Sequence, residues 1–150
     1  MAETRALYEQ VILDHAKHPR NFRVLEPCDH QSEGYNPLCG DHFTVYLKLD
    51  GEVIQDLAFM GTGCAISKSS ASVMTTLLKG KTVQEAREAF TRFHQMITAP
   101  PGTPLDNPGL GKLSVFSGVR EYPVRIKCAM LPWHTLAAAL DDRPEPVSTE

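Results

Sequence analysis

Two runs of alternating apolar and polar residues, on either side of Asp50-Gly51, constrain the fold more than any other feature of the sequence. Residues 43–49 carry the first alternation, and residues 53–59 carry the second. A period of two residues is typical of strands that bury one face. Because a turn dipeptide joins the two runs, the pattern predicts a β-hairpin whose strands share an apolar face.

The register of this hairpin depends on the length of its turn. A two-residue Asp50-Gly51 turn would put the two apolar sets on opposite faces, since a one-residue shift reverses every side chain of a strand. A three-residue loop over residues 50–52 instead pairs Phe43 with Phe59 and gives one apolar face. We therefore expect the three-residue loop.

The open end of the predicted hairpin collects three candidate metal ligands. The three-residue register, extended outward, places Cys39 opposite Gly63, so Cys39, Asp41 and Cys64 are expected to meet there. Cys39 and Asp41 are two residues apart and therefore project to the same side of an extended strand. Gly40 between them permits a tight turn around a metal ion. Thiolates and a carboxylate are groups that zinc accepts.

Helical periodicity accounts for most of the remaining chain. Thr82 followed by Glu85 is a capping-box pattern, and Cys64 immediately precedes another expected helix, whose N-terminus should lower the pKa of the thiol. The Pro- and Gly-rich residues 98–112 are expected to form a loop, and residues 20–40 look irregular, with at most one short strand. Five helices are predicted, over residues 4–17, 65–79, 82–97, 111–119 and 123–140.

These elements indicate an α+β fold, in which a small antiparallel β-sheet has helices packed on one face. A length of 150 residues suits a single domain, and we assign residues 1–140 to it. Residues 141–150 combine two prolines with acidic side chains and are expected to form a disordered C-terminal tail.

Charge and hydropathy argue against two classes of partner. The net charge is -3 and no cluster of lysine and arginine stands out, so no nucleic-acid partner is expected. The first ten residues carry charges where a signal peptide needs an apolar core, and no later run could span a bilayer. A cytoplasmic location is therefore expected, with no membrane partner.

The cysteines, considered as residues alone, leave two interpretations open. Four thiols could form two disulfides, but a cytoplasmic chain with its own core has neither the need nor the redox setting for them. A metal or sulfur site and a set of buried inert thiols both remain, since no paired C-x-x-C spacing decides between them. Cys28 is interpreted as a free, partly buried thiol, and His30 and His42 as solvated side chains. Local reasoning does not place Cys128.

Three segments carry a resemblance to a known family: residues 36–41 (NPLCGD), residues 61–67 (GTGCAIS) and residues 122–129 (YPVRIKCA). In this order they resemble the three cysteine motifs of the IscU family, and more closely those of its SufU branch. The first helix and the residues that follow it, with His15, His18, Pro19, Arg20, Asn21 and Phe22, are similar as well. The resemblance covers residues 5–140, and three motifs in the same order make it specific.

Two departures from the IscU branch favour SufU. Lys127 stands just before the last cysteine, where the scaffold branch has a histidine ligand. The Leu-Pro-Pro-Val-Lys segment that a dedicated chaperone recognises is absent, and the insertion around residues 98–118 is a SufU trait. The resemblance therefore favours sulfur transfer over assembly of a labile cluster.

The SufU resemblance implies a SufE/NifU, IscU-like fold and a zinc ion held by Cys39, Asp41, Cys64 and Cys128. It implies a zinc-dependent sulfurtransferase that accepts persulfide sulfur from a pyridoxal-phosphate cysteine desulfurase of the SufS type. Cys39 would be the acceptor, displaced from zinc by the desulfurase and left as a thiolate that attacks the persulfide. The downstream partner would be the Suf cluster-assembly complex.

Two cationic residues are candidates for a supporting role in this transfer. The side chains of Arg125 and Lys127 could steady the thiolate or contact the partner. Two other functions stay open: an iron–sulfur cluster scaffold that assembles a cluster on the same cysteines, and a non-enzymatic module with structural zinc.

Overall fold

Nine elements follow one another in the part of the chain that the computed structural model describes, which is residues 2–103, 111–143 and 145–148. The five predicted helices are present, although one of them is a 3₁₀ helix. Part of the predicted loop, residues 104–110, lies outside the described residues. In chain order the elements are α1 (Ala2–Lys17), β1 (His30–Asn36), β2 (Asp41–Asp50), β3 (Val53–Thr62), α2 (Ala65–Leu78), α3 (Val83–Thr98), the 3₁₀ helix (Gly111–Glu121), α4 (Pro123–Leu140) and β4 (Val147–Ser148).

The β2–β3 hairpin corrects the predicted register. Phe43 lies opposite Gly61 rather than Phe59, and a two-residue turn over residues 51–52 replaces the three-residue loop. The difference arises from a register shift after Lys48. An extra residue in β3 restores the common apolar face that a two-residue turn alone would break. The prediction that the two strands share an apolar face was therefore correct, whereas the predicted three-residue turn was wrong.

The sheet has the strand order β3-β2-β1-β4, and its first three strands are antiparallel. Phe43, Val45 and Leu47 of β2 are fully buried and belong to one core with Trp133 of α4 and Phe93 of α3. This arrangement confirms the α+β fold. Among the helices of the described residues, none combines the length and the apolar character that crossing a membrane requires.

The C-terminal segment differs in part from the expected disordered tail. Val147 and Ser148 form β4 and pair in parallel with Gly34 and Tyr35 at the edge of β1. An edge strand presents unpaired N–H and C=O groups, which any neighbouring extended segment can use whatever its side chains. Residues 144, 149 and 150 of the predicted tail lie outside the described residues.

Close packing of α4 against β1 depends on Gly34. A Cβ atom at this position would overlap Thr135 Oγ1 and lie 3.0 Å from Leu131 Cδ1. Because glycine lacks that atom, α4 approaches the backbone of β1 directly. The N-terminal part of α4, which carries Cys128, is thereby brought to the end of β1.

Candidate metal and sulfur site

Cys39 lies in the tight connection between β1 and β2. Its N–H group donates a hydrogen bond to the carbonyl of Asn36 at 3.1 Å, which closes a four-residue turn with Pro37 in its second position. Gly40 follows with φ +72°, a conformation that favours glycine. The thiol of Cys39 is half-buried. The turn therefore presents this sulfur at the surface rather than in the core.

Asp41 begins β2 and is 2% exposed. Its Oδ1 accepts a hydrogen bond from the Cys64 N–H group at 2.9 Å, whereas its Oδ2 is buried and has no partner among the described residues. A Cβ atom at Gly63 would lie 2.7 Å from Asp41 Oδ1, so only glycine fits there. A buried carboxylate oxygen without a partner suits a residue that binds a metal ion.

Cys64 caps the N-terminus of α2. Its sulfur accepts the Ser67 N–H group at 3.5 Å, and Ser67 Oγ donates to the Cys64 carbonyl at 3.1 Å. A thiolate in this position gains from the helix dipole and from the free N–H groups of the first turn. The predicted helix N-terminus at Cys64 is confirmed by this geometry.

Cys128 lies in α4 and is fully buried. Its sulfur is 3.1 Å from Cys39 Sγ and 3.5 Å from Asn36 Nδ2. The backbone beside Cys128 is joined to α2, because Ser70 Oγ donates to the Ala129 carbonyl at 2.6 Å. These contacts hold Cys128 from three sides.

The ligand atoms of Cys39, Asp41 and Cys128 lie within 4.8 Å of one another, and Cys64 adjoins them through Asp41 and Cys128. A hydrogen bond from the Cys128 thiol is the largest cause that lowers the pKa of Cys64, to about 6, and the Ser67 N–H group adds to it against the opposing effect of burial. The same hydrogen bond, together with burial, raises the pKa of Cys128. These shifts favour the thiolate form at Cys64 and the protonated form at Cys128.

The residues present fit a metal ion. Three sulfurs and one carboxylate oxygen make a four-ligand set of the kind that tetrahedral zinc sites use. The unpartnered Asp41 Oδ2 is an oxygen ligand already removed from water. The group can hold a metal ion, and its soft thiolates favour zinc or iron over magnesium or calcium.

The two predicted supporting residues lie on α4, within three residues of Cys128 in sequence. Arg125 is exposed, and Lys127 is half-buried in the wall of a cavity of about 310 Å³ that none of the four ligand candidates lines. Within the described residues, neither side chain forms a hydrogen bond or an ion pair. The structure therefore gives no direct contact between these cations and the sulfurs.

The alternative ligands considered from the sequence are elsewhere. His30 Nδ1 lies 3.2 Å from Asp142 Oδ1, and the exposed ring of His42 stacks on Tyr35 with 4.4 Å between the ring centroids. Cys28 is half-buried, and its nearest hydrogen-bond partner is Gln31. None of the three contributes to the group around Cys128.

Sequence reasoning missed two residues that shape the site. Asn36 contacts Cys128, and Ser70 links α2 to α4 because its Oγ also accepts the Trp133 Nε1–H group at 3.2 Å. Asn36 stands in the first cysteine motif, which could have drawn attention to it. No local pattern distinguishes Ser70 from the neighbouring serines of α2.

Comparisons with known proteins agree with the resemblance found in the sequence. Residues 7–141 match the profile of the NifU-like N terminal domain. The chain is 41% identical over 135 residues to the zinc-dependent sulfurtransferase SufU of Bacillus subtilis, covering 90% of both chains. It is 34% identical over 143 residues to the iron–sulfur cluster assembly scaffold protein IscU of Streptococcus pyogenes, covering 93% of this chain and 86% of that protein.

A solved structure extends the comparison to the fold. The crystal structure of a SufU from Fervidobacterium islandicum, named for iron–sulfur cluster assembly in the SUF system, superposes with a TM-score of 0.81 at 40% identity. The match covers 87% of this chain and 94% of that one. Sequence and fold therefore point to the same relatives.

Proposed function

The chain belongs to the family of NifU-like N-terminal domains, and from that premise we propose that it is a zinc-dependent sulfur-transfer protein for iron–sulfur cluster assembly. One observation carries the proposal: a half-exposed thiol, Cys39, lies on a turn beside the buried Asp41 and Cys128, with ligand atoms within 4.8 Å. The similarity to a protein named as a zinc-dependent sulfurtransferase supports the same activity.

The proposed zinc ligands are Cys39, Asp41, Cys64 and Cys128. Bound zinc would keep the sulfurs as thiolates and protect them from oxidation until the partner engages. Asp41 offers its unpartnered Oδ2, while its Oδ1 stays bonded to the Cys64 N–H group. The carboxylate thus orients the backbone of one sulfur ligand while it serves as a ligand itself.

Cys39 is the proposed sulfur acceptor, because it is half-buried on the turn between β1 and β2, whereas Cys64 caps a helix and Cys128 is buried within one. Its thiolate attacks the terminal sulfur of a persulfide on the donor enzyme, forming a new sulfur–sulfur bond as the donor's sulfur–sulfur bond breaks. The donor cysteine leaves as a thiolate. The transferred sulfur keeps its proton. Cys39 is oxidised to a persulfide as the donor persulfide is reduced to a thiolate, so the exchange needs no external oxidant or reductant.

The proposed donor is a pyridoxal-phosphate cysteine desulfurase of the SufS type, and the proposed recipient is the Suf cluster-assembly complex. Both reactions would take place in the cytoplasm. Arg125 and Lys127 are proposed to meet the partner, because neither is engaged in an ion pair within the described residues and both stand within three residues of Cys128 in sequence.

Cysteine turnover by a SufS-type desulfurase, measured with and without the zinc-loaded protein, tests this function. The wild-type protein is expected to raise turnover, whereas Cys39→Ala should not, because the acceptor sulfur is missing. Cys28→Ala is the matched control, since its thiol lies outside the site and should leave the stimulation intact. Absence of stimulation by the wild-type zinc form would contradict the proposal.

An iron–sulfur scaffold is the second candidate, favoured by the 34% identity to a protein named as a scaffold. Anaerobic reconstitution with iron and sulfide, followed by transfer to an apo-protein, distinguishes it. A stable cluster absorption that disappears as the recipient becomes active would support the scaffold. A third candidate, a structural zinc module, requires that zinc cannot be released by any desulfurase and that no persulfide forms on Cys39.

A further inference from the structure

Asn36 is a buried amide beside the proposed ligands, and it takes no part in the sulfur chemistry of Cys39. It is the last residue of β1 and is fully buried. In the β1–β2 ladder it pairs with Asp41, so the two side chains lie on the same face of the sheet, against α4. The end of β1 therefore places an amide next to a carboxylate at the buried side of the site.

The two polar atoms of the Asn36 amide differ in their hydrogen-bond partners. Its Nδ2 donates a hydrogen bond to Cys128 Sγ at 3.5 Å, whereas its Oδ1 is buried and has no partner among the described residues. An unpaired buried oxygen costs free energy that an apolar side chain of similar size would not. For packing alone, leucine would therefore be more favourable at this position than asparagine. What asparagine offers and leucine lacks is an N–H donor.

N–H donors divide the three sulfurs into two kinds. Cys64 accepts from the Ser67 N–H group, and Cys128 accepts from Asn36. Within the described residues, the Cys39 sulfur accepts no N–H group, and its contact is with Cys128 Sγ at 3.1 Å. A hydrogen bond from N–H to a sulfur anion orients and stabilises a ligand, so the unsupported sulfur is the one most easily released.

We propose that Asn36 is a positioning residue whose N–H group fixes the Cys128 sulfur as a retained metal ligand, which leaves Cys39 as the ligand that is released to accept sulfur. The inference rests on the proposed function, because it needs a metal ion on these sulfurs. Asn36 acts through Cys128 and does not itself touch the transferred sulfur. Residues that support a ligand in this way typically change metal affinity by about 10–100-fold.

The zinc Kd of Asn36→Leu, measured by competition with a chelating dye, tests this role. The variant keeps the branched shape of the side chain but removes both the donor and the unpaired oxygen, so the Kd is expected to rise about 10–100-fold. The thermal midpoint of the zinc-free variant should equal or exceed that of the wild type. A merely structural asparagine predicts the reverse, a lower zinc-free midpoint with an unchanged Kd, and that result would overturn the inference.

Two further variants keep the test decisive. Asn36→Ala removes the same donor with a smaller side chain, and should show the same loss of zinc affinity. It serves as the test if the leucine variant does not fold. Ser32→Ala is the matched control, because Ser32 lies on the same face of β1 and its Oγ is also buried and has no partner among the described residues. The zinc Kd of this variant should equal that of the wild type. Wild-type protein that binds no zinc would contradict the proposed function, whereas wild-type affinity in both Asn36 variants contradicts only the role of Asn36.

Discussion

The proposed ligands divide into a hairpin half, Cys39 and Asp41, and a helix half, Cys64 and Cys128. The hairpin half needs one turn and one strand pairing, between residues that are neighbours in sequence. The helix half needs the N-terminal parts of α2 and α4 to meet. One half is local and partly exposed, and the other depends on tertiary packing.

The two halves also differ in how their sulfurs are held. Ser70 bonds both the Ala129 carbonyl and the Trp133 indole, which joins the helix half across the core. The backbone of Cys39 is held by the hydrogen bond that closes its turn. The comparison teaches that retention and release of a sulfur can be separated within one site, by supporting some sulfurs from the core and leaving another on a turn.

Removing the link between α2 and α4 should have the largest effect on stability. Ser70→Ala leaves the Ala129 carbonyl and the Trp133 N–H group without this partner, and is expected to lower the free energy of unfolding by about 3 kcal/mol. Urea denaturation of the zinc-free protein measures it. The control is Ser69→Ala, because among the described residues the Ser69 hydroxyl bonds the Ile66 carbonyl of its own helix and no other group. Its loss should cost less than about 1 kcal/mol. Equal losses in the two variants would show that the helix half has no special link.

Gly63→Ala tests the contact between Asp41 of the hairpin half and Cys64 of the helix half. The new Cβ atom would lie 2.6–2.7 Å from Ser67 Oγ, Asp41 Oδ1 and Phe43 Cζ, so the carboxylate must move. We expect a loss of about 2 kcal/mol in unfolding free energy together with weaker zinc binding. Gly118→Ala meets no atom within 4 Å and is the control for both measurements. Unchanged zinc affinity in the Gly63 variant would show that the Asp41 position is not set by this contact.

Acid should weaken the packing of α1 on α2, behind the helix half. His15 is 2% exposed and bonded to Ser72, and burial is the largest cause that lowers its pKa below 6.5, followed by the charges of Arg20 and Lys112. Since the folded-state pKa lies below the unfolded one, the stabilisation is complete above about pH 6.5 and is lost as the pH falls, by up to about 1.4 kcal/mol per pH unit. Unfolding free energies from pH 7.5 to 5 should fall more steeply for the wild type than for His15→Gln.

The same titration can contradict this account of acid sensitivity. His134 is also held below its usual pKa by burial, so part of the acid sensitivity should persist in His15→Gln. Identical slopes for the wild type and the variant would mean that His15 is not protonated on unfolding in this range.

The smallest effects are expected at the rim of the site. Arg125→Ala and Lys127→Ala remove cations that make no ion pair within the described residues, so zinc affinity should stay within about twofold and stability within about 0.5 kcal/mol. Calorimetric zinc titration measures the first quantity. A tenfold loss of affinity would mean that these cations belong to the site itself rather than to a partner surface.

The hairpin half could be predicted from alternation alone, but the prediction omitted a bulge. The paired strands end at His42 and Thr62, so extending the register places Asp41, not Cys39, opposite Gly63. Asp41 nevertheless meets Cys64, because the Cys64 N–H group lies just beyond that position. A period-two pattern shows which face of a strand is buried. It does not reveal a bulge, because one extra residue can be accommodated without changing which side chains are buried.

The helix half could not be predicted from local patterns. Cys128 entered through the resemblance of residues 122–129 to a family motif, since nothing in the sequence of α4 indicates which strand it packs on. The contacts of Asn36 and Ser70 depend on that packing and on the missing Cβ of Gly34. β4 was missed because two residues of backbone pairing leave no side-chain pattern.

Mass spectrometry of the persulfide tests most directly whether Cys39, the sulfur of the hairpin half, accepts the transferred sulfur. The zinc-loaded protein is incubated with a SufS-type desulfurase and cysteine, alkylated and digested. One additional sulfur atom is predicted on the peptide that contains Cys39, and none on the peptides of Cys64 and Cys128. Sulfur found on Cys64 or Cys128 instead, or on no cysteine while the desulfurase turns over, would contradict the account.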